Sequence, residues 1–316
     1  MKKCLASLLL AACTSSHQAA APDSPPADVD AAVDSGPSLP TPIKYVVVIV
    51  KENHSFDNYF TNFPGAESSM TAKLHDGTVI TRAKAPDGPL DGDMSHSRAS
   101  FLTDYDNGKM DGFDKIVSAQ PRRPFYYYAE SQIPNYWAYA RNFALFDHFF
   151  STLGGPSSPG HFAIISAQTP HYANASCSDG TDDCLSGCRD TTGTTVVPTY
   201  NPDTCQNEGD KPSCFAVPSV VDMLPAGMTW RTYGGGSGHN VGTALGLVKG
   251  IGEDGAVRDG HFFPYTQLYA DLASGDLANF THIDVASAPI GASEHPPNAP
   301  CTGENFTVNI INQIMQ

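Results

Sequence analysis

The strongest constraint on the fold is a run of apolar residues, Tyr45–Val50 (YVVVIV), which ends abruptly in polar side chains. The run is short and rich in β-branched residues, as is typical of a parallel strand covered on both faces. We therefore predict a central strand over Lys44–Val50 in an α/β fold with a mostly parallel sheet. Ligands of such folds bind beyond the carboxyl ends of the strands. A functional site is therefore expected just after Val50.

Two oxygen-bearing side chains, Glu52 and Asn53, follow this strand in the segment KENHSFDNYF. A carboxylate and an amide oxygen are suitable ligands for a hard divalent cation. The same segment is also consistent with a turn leading into a helix, with Ser55 and Asp57 as capping residues. From these residues alone, both interpretations stay open.

A second polar turn lies in LGGPSSPGHFAIISAQ, which spans Leu153–Gln168. Serine before a helix and proline in its first turn are favoured, so we predict a helix that begins near Ser157 and Ser158. The N-terminus of a helix attracts anions through its free N–H groups. A serine there is either a plain helix cap or a nucleophile activated by a metal ion.

The histidines fall into two kinds of sequence context. His96, His239 and His295 lie in segments typical of turns, where each is either an exposed loop residue or part of a site. His148 and His161 lie among aromatic residues, which favours packed positions.

The charge balance argues against a nucleic-acid partner. The chain has 316 residues with 18 basic and 33 acidic side chains, for a net charge of −15, and it has no basic segment. An anionic substrate would have to be attracted by a local site, because the overall field repels it.

The N-terminal segment MKKCLASLLLAAC has the pattern of a signal peptide. It resembles a bacterial lipoprotein signal over residues 1–13, with Cys13 as the lipidated residue; an ordinary secretory signal is the alternative. Residues 14–42 are mainly Ala, Pro, Ser and Asp, which predicts a disordered tether. We expect an exported protein, either an outer-membrane lipoprotein or a periplasmic or extracellular protein, that contacts the membrane only through a lipid at Cys13.

The cysteine count also favours export. Eight cysteines are present, and six of them follow the signal region: Cys177, Cys184, Cys188, Cys205, Cys214 and Cys301. An even number in an exported chain predicts up to three disulfides, whose pairing stays open. The spacing has no paired C-x-x-C, which argues against a zinc site. Residues 174–214 are predicted to form a disulfide-bonded insertion.

Five segments occur in one order along the chain: KENHSFDNYF, DYDNGKMDGF, IPNYWAYARNFALFDHFF, GGPSSPGHF and SEHPPNAPCTGENF. This series resembles the bacterial phosphoesterase family that contains phospholipases C and an acid phosphatase. The resemblance covers residues 43–316 and implies one domain with an alkaline-phosphatase-like fold, a three-layer α/β sandwich. The implied reaction is hydrolysis of phosphomonoesters or phospholipid-type phosphodiesters.

The resemblance also implies roles for residues of this chain. Glu52 and Asn53 match the pair that binds one divalent metal ion, whose identity stays open. Ser157 matches the nucleophile, which also touches the metal. A serine at this position is closer to the acid-phosphatase branch than to the phospholipases C.

Histidines complete the implied site. His96 and His295 match the histidines that line the phosphate position, and either can protonate the leaving group. His239 matches more loosely as a substrate-binding residue. Lys109 is either a phosphate contact or a solvated loop lysine. The substrate is expected to be a phosphorylated small molecule or a phospholipid head group.

One family segment has no counterpart in this sequence. The aspartate-rich stretch D-D/E-x-G-G-x-x-D-H, which follows another core strand in the family, is absent, and the chain ends in INQIMQ. We therefore expect a fold that lacks its last strands, an incomplete set of metal ligands and weak activity. The alternative is a surface lipoprotein that binds phosphorylated ligands without turnover. A sulfatase-like site is disfavoured, because no arginine follows Ser157 within its motif.

Overall fold

The computed structural model describes residues 42–116, 122–155, 157–169, 171, 187–188, 196–200, 207–234, 243–285 and 292–316. The predicted signal peptide with Cys13, nearly all of the predicted tether, His239 and most of the 174–214 insertion lie outside these residues.

Helices and short strands alternate along the described chain. The helices are α1 Phe56–Phe60, α2 Arg98–Tyr105, α3 Pro134–Asn142, α4 Ser157–Ser166, α5 Gly255–His261, α6 Tyr265–Ser274 and α7 Pro300–Ile314. The strands are β1 Val46–Val50, β2 Thr71–Lys73, β3 Val79–Thr81, β4 Ala83–Lys84, β5 Tyr126–Tyr127, β6 Val196–Tyr200, β7 Asn207–Pro212, β8 Trp230–Gly234, β9 Phe262–Pro264 and β10 Phe280–Asp284. Across the described ranges, every helix is too short or too polar to cross a membrane.

The central sheet is parallel, as predicted, with the strand order β1-β10-β8-β9. Strand β1 is, however, an edge strand among the described residues, and Val46 is 47% exposed. The prediction of a central position for this strand was therefore wrong for the described part of the chain. An unbroken apolar run shows that a segment prefers a sheet, but it does not show how many neighbours the strand has.

Helical layers cover both faces of the sheet. On one face, Val47, Ile49 and Ile283 pack with residues of α6 and α7 such as Leu268 and Ile310. On the other face, α4 and the segment after residue 243 form a second core cluster, which contains Phe162, Leu245 and Phe262. This arrangement is the predicted three-layer α/β sandwich.

The part of the predicted insertion that is described contains an antiparallel ribbon of β6 and β7. A disulfide joins Cys188 to Cys214, and Cys301 is also disulfide-bonded. Residues 187–188 lie against the core, because a Cβ placed on Gly252 would be 3.0 Å from the Cβ of Cys188.

Candidate functional site

The carboxyl ends of β1 and β10 meet at one edge of the sheet. Val50 pairs with Asp284, the last residue of β10, so Glu52 leaves the sheet beside the Asp284 carboxylate. Both side chains are largely buried, at 13% exposure for Glu52 and 5% for Asp284. The parallel register therefore brings two carboxylates together from distant parts of the chain, at the position expected for a ligand site.

An imidazole lies between these two carboxylates. His161 Nε2 is 3.2 Å from Glu52 Oε2, and His161 Nδ1 is 3.3 Å from Asp284 Oδ2. The Nδ1 contact is an ion pair by distance, although it is not aligned as a hydrogen bond. His161 projects from α4, whose first residue is Ser157, with Pro159 in the first turn as predicted. The Ser157 hydroxyl donates a hydrogen bond to the Glu52 carboxylate.

We call Glu52, Ser157, His161 and Asp284 the acidic cluster. The positive charge of His161 and the negative charges of the two carboxylates stabilise one another. Burial opposes protonation of His161, but Asp284 and Glu52 together raise its pKa to about 10. Burial would raise the pKa of Glu52, yet its bonds to His161 and Ser157 lower it overall. At neutral pH the cluster therefore holds an imidazolium between two carboxylates.

A second group, the histidine cluster, consists of Asn53, Asp93, His96 and His295. The Asn53 amide nitrogen lies 3.4 Å from His295 Nε2, and the rings of His96 and His295 are 5.2 Å apart. Asp93 Oδ2 is 3.3 Å from His96 Nδ1 and 3.8 Å from His295 Nδ1. Because Asn53 directly follows Glu52, the two clusters are adjacent. The sequence prediction that Asn53, His96 and His295 share a site is consistent with this geometry.

Backbone carbonyls fix the ring protons of both histidines. His96 Nδ1 lies 2.8 Å from the Met94 carbonyl, and His295 Nδ1 lies 2.8 Å from the Pro296 carbonyl. A carbonyl oxygen only accepts hydrogen bonds, so each Nδ1 carries a proton. The remaining nitrogen, Nε2, can then accept or donate a proton as its charge state changes.

A buried ion pair holds the loop that carries His295. Lys51 Nζ lies 3.0 Å from Glu294 Oε1, and the hydroxyl of Tyr59 donates to Glu294 Oε2 at 2.6 Å. Helix α7 approaches closely, because a Cβ at Gly303 would lie only 2.2 Å from Glu294 Cγ. Burial lowers the pKa of Lys51, while the charge of Glu294 raises it. The same loop accepts a hydrogen bond at the Glu294 carbonyl from His54 Nε2, at 2.9 Å.

The side chains present fit a hard divalent cation. Glu52 supplies a carboxylate oxygen, Ser157 a hydroxyl and Asn53 an amide oxygen, which are the ligands that Mg²⁺, Ca²⁺ and Mn²⁺ prefer. Asp284 lies on the other side of the His161 ring. The histidine cluster is a separate candidate: Asp93, His96 and His295 each offer one ligand atom, and these atoms lie within 4.8 Å of one another. The expectation of an incomplete set of metal ligands stays a prediction; it was made without Asp284, which ends β10.

Three further residues can be compared with their sequence predictions. Lys109 pairs with Asp106 at 2.9 Å, and its side chain is 65% exposed, which fits the solvated-lysine alternative. His148 was predicted to pack, and this is wrong: its side chain is 65% exposed and pairs with Glu67. His161 is buried as predicted, but its neighbours are carboxylates as well as aromatic residues.

Comparison with known proteins agrees with this architecture. Residues 43–316 match the Phosphoesterase family. The chain therefore belongs to the Phosphoesterase family, which supports a hydrolase acting on phosphoester bonds. A search of curated proteins finds no match.

Proposed function

We propose that this protein is an exported, metal-dependent phosphoesterase that uses Ser157 as its nucleophile. The observation that carries the proposal is the position of the Ser157 hydroxyl: it lies at the first residue of α4 and bonds to Glu52 at the carboxyl end of the sheet. A phosphoryl group bound there faces the N–H groups of the first turn of α4, which stabilise negative charge.

The first half of the reaction forms a phosphoserine. Ser157 Oγ attacks phosphorus, the bond from phosphorus to the alcohol oxygen breaks, and the hydroxyl proton passes to a carboxylate or to water. His295 or His96, in its imidazolium form, gives its Nε2 proton to the alcohol oxygen and keeps the Nδ1 proton that a carbonyl accepts. Water then attacks phosphorus and gives a proton to Nε2 of the same histidine. The bond to Ser157 Oγ breaks, the serine oxygen regains a proton from the group that accepted it or from water, and phosphate or a phosphomonoester leaves.

The acidic cluster prepares the nucleophile. His161 is protonated at neutral pH and so cannot act as the base; instead it orients Glu52 and Asp284. A divalent ion held by Glu52, Asn53 and Ser157 would supply positive charge that lowers the pKa of the serine hydroxyl. The substrate is a phosphorylated small molecule or a phospholipid head group. Export, and lipid anchoring at Cys13, form part of the same proposal.

The test compares the full chain with its Ser157→Ala variant on p-nitrophenyl phosphate and p-nitrophenyl phosphorylcholine, across a panel of divalent metals. Loss of a nucleophile commonly removes several orders of magnitude in rate, so we expect a fall of about 10³-fold or more. Chelation should reduce the wild-type rate and leave the variant unchanged. The ratio of the two substrate rates assigns the monoester or diester class.

The matched control is Ser166→Ala, at the other end of the same helix, where the hydroxyl bonds only to backbone carbonyls in the structure. This variant should keep the wild-type rate. Equal activity of Ser157→Ala and wild type would rule out the proposed nucleophile. Tight binding of phosphate without any turnover would favour the alternative of a binding protein.

A further inference from the structure

A cleft of about 250 Å³ opens directly beside the histidine cluster. Asn53, Asp93 and His96 form one end of it, so a group bound in the cleft would touch the proposed phosphate position. The rings of Phe113 and Tyr126 line other parts of its wall. Flat rings favour a ring-shaped ligand, and the volume is just below that of most ligand pockets, which indicates a compact ligand.

Tyr128 also lines this cleft, and its hydroxyl lacks a partner within the part of the chain that the structure describes. The side chain is only 3% exposed, so water does not simply replace that partner. Burial raises the pKa of Tyr128 to about 12, which keeps the hydroxyl protonated at neutral pH. An unpaired buried hydroxyl costs roughly 1–3 kcal/mol, which makes an acceptor on a bound ligand favourable.

Arg123 is the second unusual residue in the wall of the cleft. It is 7% exposed, and it donates a hydrogen bond to the Gly92 carbonyl. Over the described residues, no carboxylate forms an ion pair with it. A buried guanidinium without a carboxylate partner among the described residues is best matched by an anion, which it can hold with two parallel hydrogen bonds.

We infer that this cleft binds the alcohol half of the substrate, and that Arg123 and Tyr128 recognise a second anionic group on a ring-bearing alcohol. This inference rests on the proposed function, because the other half of the substrate lies at Ser157. The substrate class is thereby narrowed to compact phosphoesters whose leaving group carries a carboxylate or another phosphate. A diacylglycerol leaving group, with two long chains and no anion, does not fit a cleft of this size.

The experiment measures binding and turnover separately. Binding to the full-length Ser157→Ala protein is measured by calorimetry with 3- and 4-carboxyphenyl phosphate and with the matching neutral carbamoylphenyl phosphates. We expect the better carboxylate isomer to bind at least about tenfold more tightly than its neutral partner, as charged hydrogen bonds imply. The bisphosphate of 1,4-dihydroxybenzene distinguishes a second phosphate from a carboxylate as the preferred anion.

Two substitutions show whether Arg123 and Tyr128 cause the preference for the charged ligand. Arg123→Gln should abolish the preference for the anion. Arg123 is buried, so its substitution also tests folding. Tyr128→Phe therefore provides an independent variant, which should reduce the preference several-fold while retaining a folded protein. Tyr127→Phe, at the position directly before Tyr128, is the control and should leave the preference for the anionic ligand intact.

The outcomes separate this inference from the proposed function. Turnover of phenyl phosphate by the wild-type chain, with equal affinity for charged and neutral ligands, would overturn the inference and leave the function standing. A preference that survives in both Arg123→Gln and Tyr128→Phe would also overturn it, as would failure of every aryl phosphate to bind. Tighter binding of the charged than of the neutral ligands, without any turnover, would support the proposed role of the cleft and count against the proposed phosphoesterase activity.

Discussion

At the scale of single residues, the ion pair of Lys51 and Glu294 connects the sheet to the site. Lys51 directly precedes Glu52, and Glu294 directly precedes His295, so one buried contact ties together residues that border both clusters. Lys51 Nζ also donates to the carbonyls of Ala292 and Gly303, at 2.8 and 3.1 Å. The pair therefore positions the backbone on which the proposed acid and metal ligand lie.

Substitution of Lys51 by methionine should destabilise the protein strongly. The change leaves the Glu294 carboxylate buried, at 2% side-chain exposure, without its cation. Breaking a buried ion pair in this way typically costs about 3–5 kcal/mol. The free energy of unfolding of Lys51→Met, measured by urea titration, should fall by about this amount.

Lys109→Met is the matched control, since it removes the same charge from an exposed lysine that pairs with Asp106. Its urea midpoint should stay close to that of the wild type. If both substitutions shift the midpoint equally, the buried pair has no special role in stability.

Sequence analysis found some members of the site and missed others for identifiable reasons. Glu52 and Ser157 were found because they follow a recognisable strand and a recognisable turn. Asp284 ends β10, in the segment FTHID, where a polar pattern hides a buried strand. The rule that selected Glu52, a carboxylate at the end of a parallel strand, would have selected Asp284 if β10 had been recognised.

At the scale of elements, helix α2 begins beside the histidine cluster. Ser97 is its N-cap, and the side-chain oxygen accepts a hydrogen bond from the Ser100 N–H at 3.3 Å. His96 is the residue just before this cap, so the start of the helix sets the position of its ring. A less stable first turn of α2 would therefore also displace the ring of His96, one of the two proposed general acids.

Removal of this cap gives a prediction at the element scale. Ser97→Ala should lower the free energy of unfolding by about 1 kcal/mol, the usual cost of a lost helix cap. It should also reduce kcat, since His96 becomes less well positioned. Ser97→Asn keeps a capping oxygen and should restore most of both quantities; if it behaves like Ser97→Ala, the cap does not position His96.

The predicted elements differ in how well the sequence defined them. The start of α4 at Ser157 was predicted, because serine and proline have strong and specific preferences at helix starts. The strands that pair with β1 were not predicted, because strand pairing depends on distant residues such as those of β10. The parallel direction of the sheet was predicted, since short apolar β-branched runs are typical of parallel strands.

At the scale of the whole molecule, the disulfide between Cys188 and Cys214 ties the ribbon-bearing segment to the core. The two cysteines are 26 positions apart. A cross-link over a loop of this length restricts the unfolded chain and contributes about 3 kcal/mol in the chain-entropy model. The sequence predicted that disulfides would form here, but it could not give the pairing.

The double substitution Cys188→Ala with Cys214→Ala should therefore lower the free energy of unfolding by about 3 kcal/mol. Thermal unfolding of the variant and of the wild type, both without reductant, measures this. Adding reductant should lower the wild-type Tm, through this disulfide and that of Cys301. An unchanged Tm in the double variant would show that the bond adds nothing to stability.

The register of β1 with β10 has a consequence for when the protein becomes active. Asn53 and His295, which meet in the histidine cluster, are 242 positions apart in the chain. A ribosome adds about 5–20 residues per second, so the two halves of the site are made tens of seconds apart. Until residues 280–295 have been made and paired with β1, a nascent chain contains Ser157 but no complete site. On the proposed function, the order of synthesis therefore keeps the growing chain inactive toward phosphoesters until its last quarter has been made.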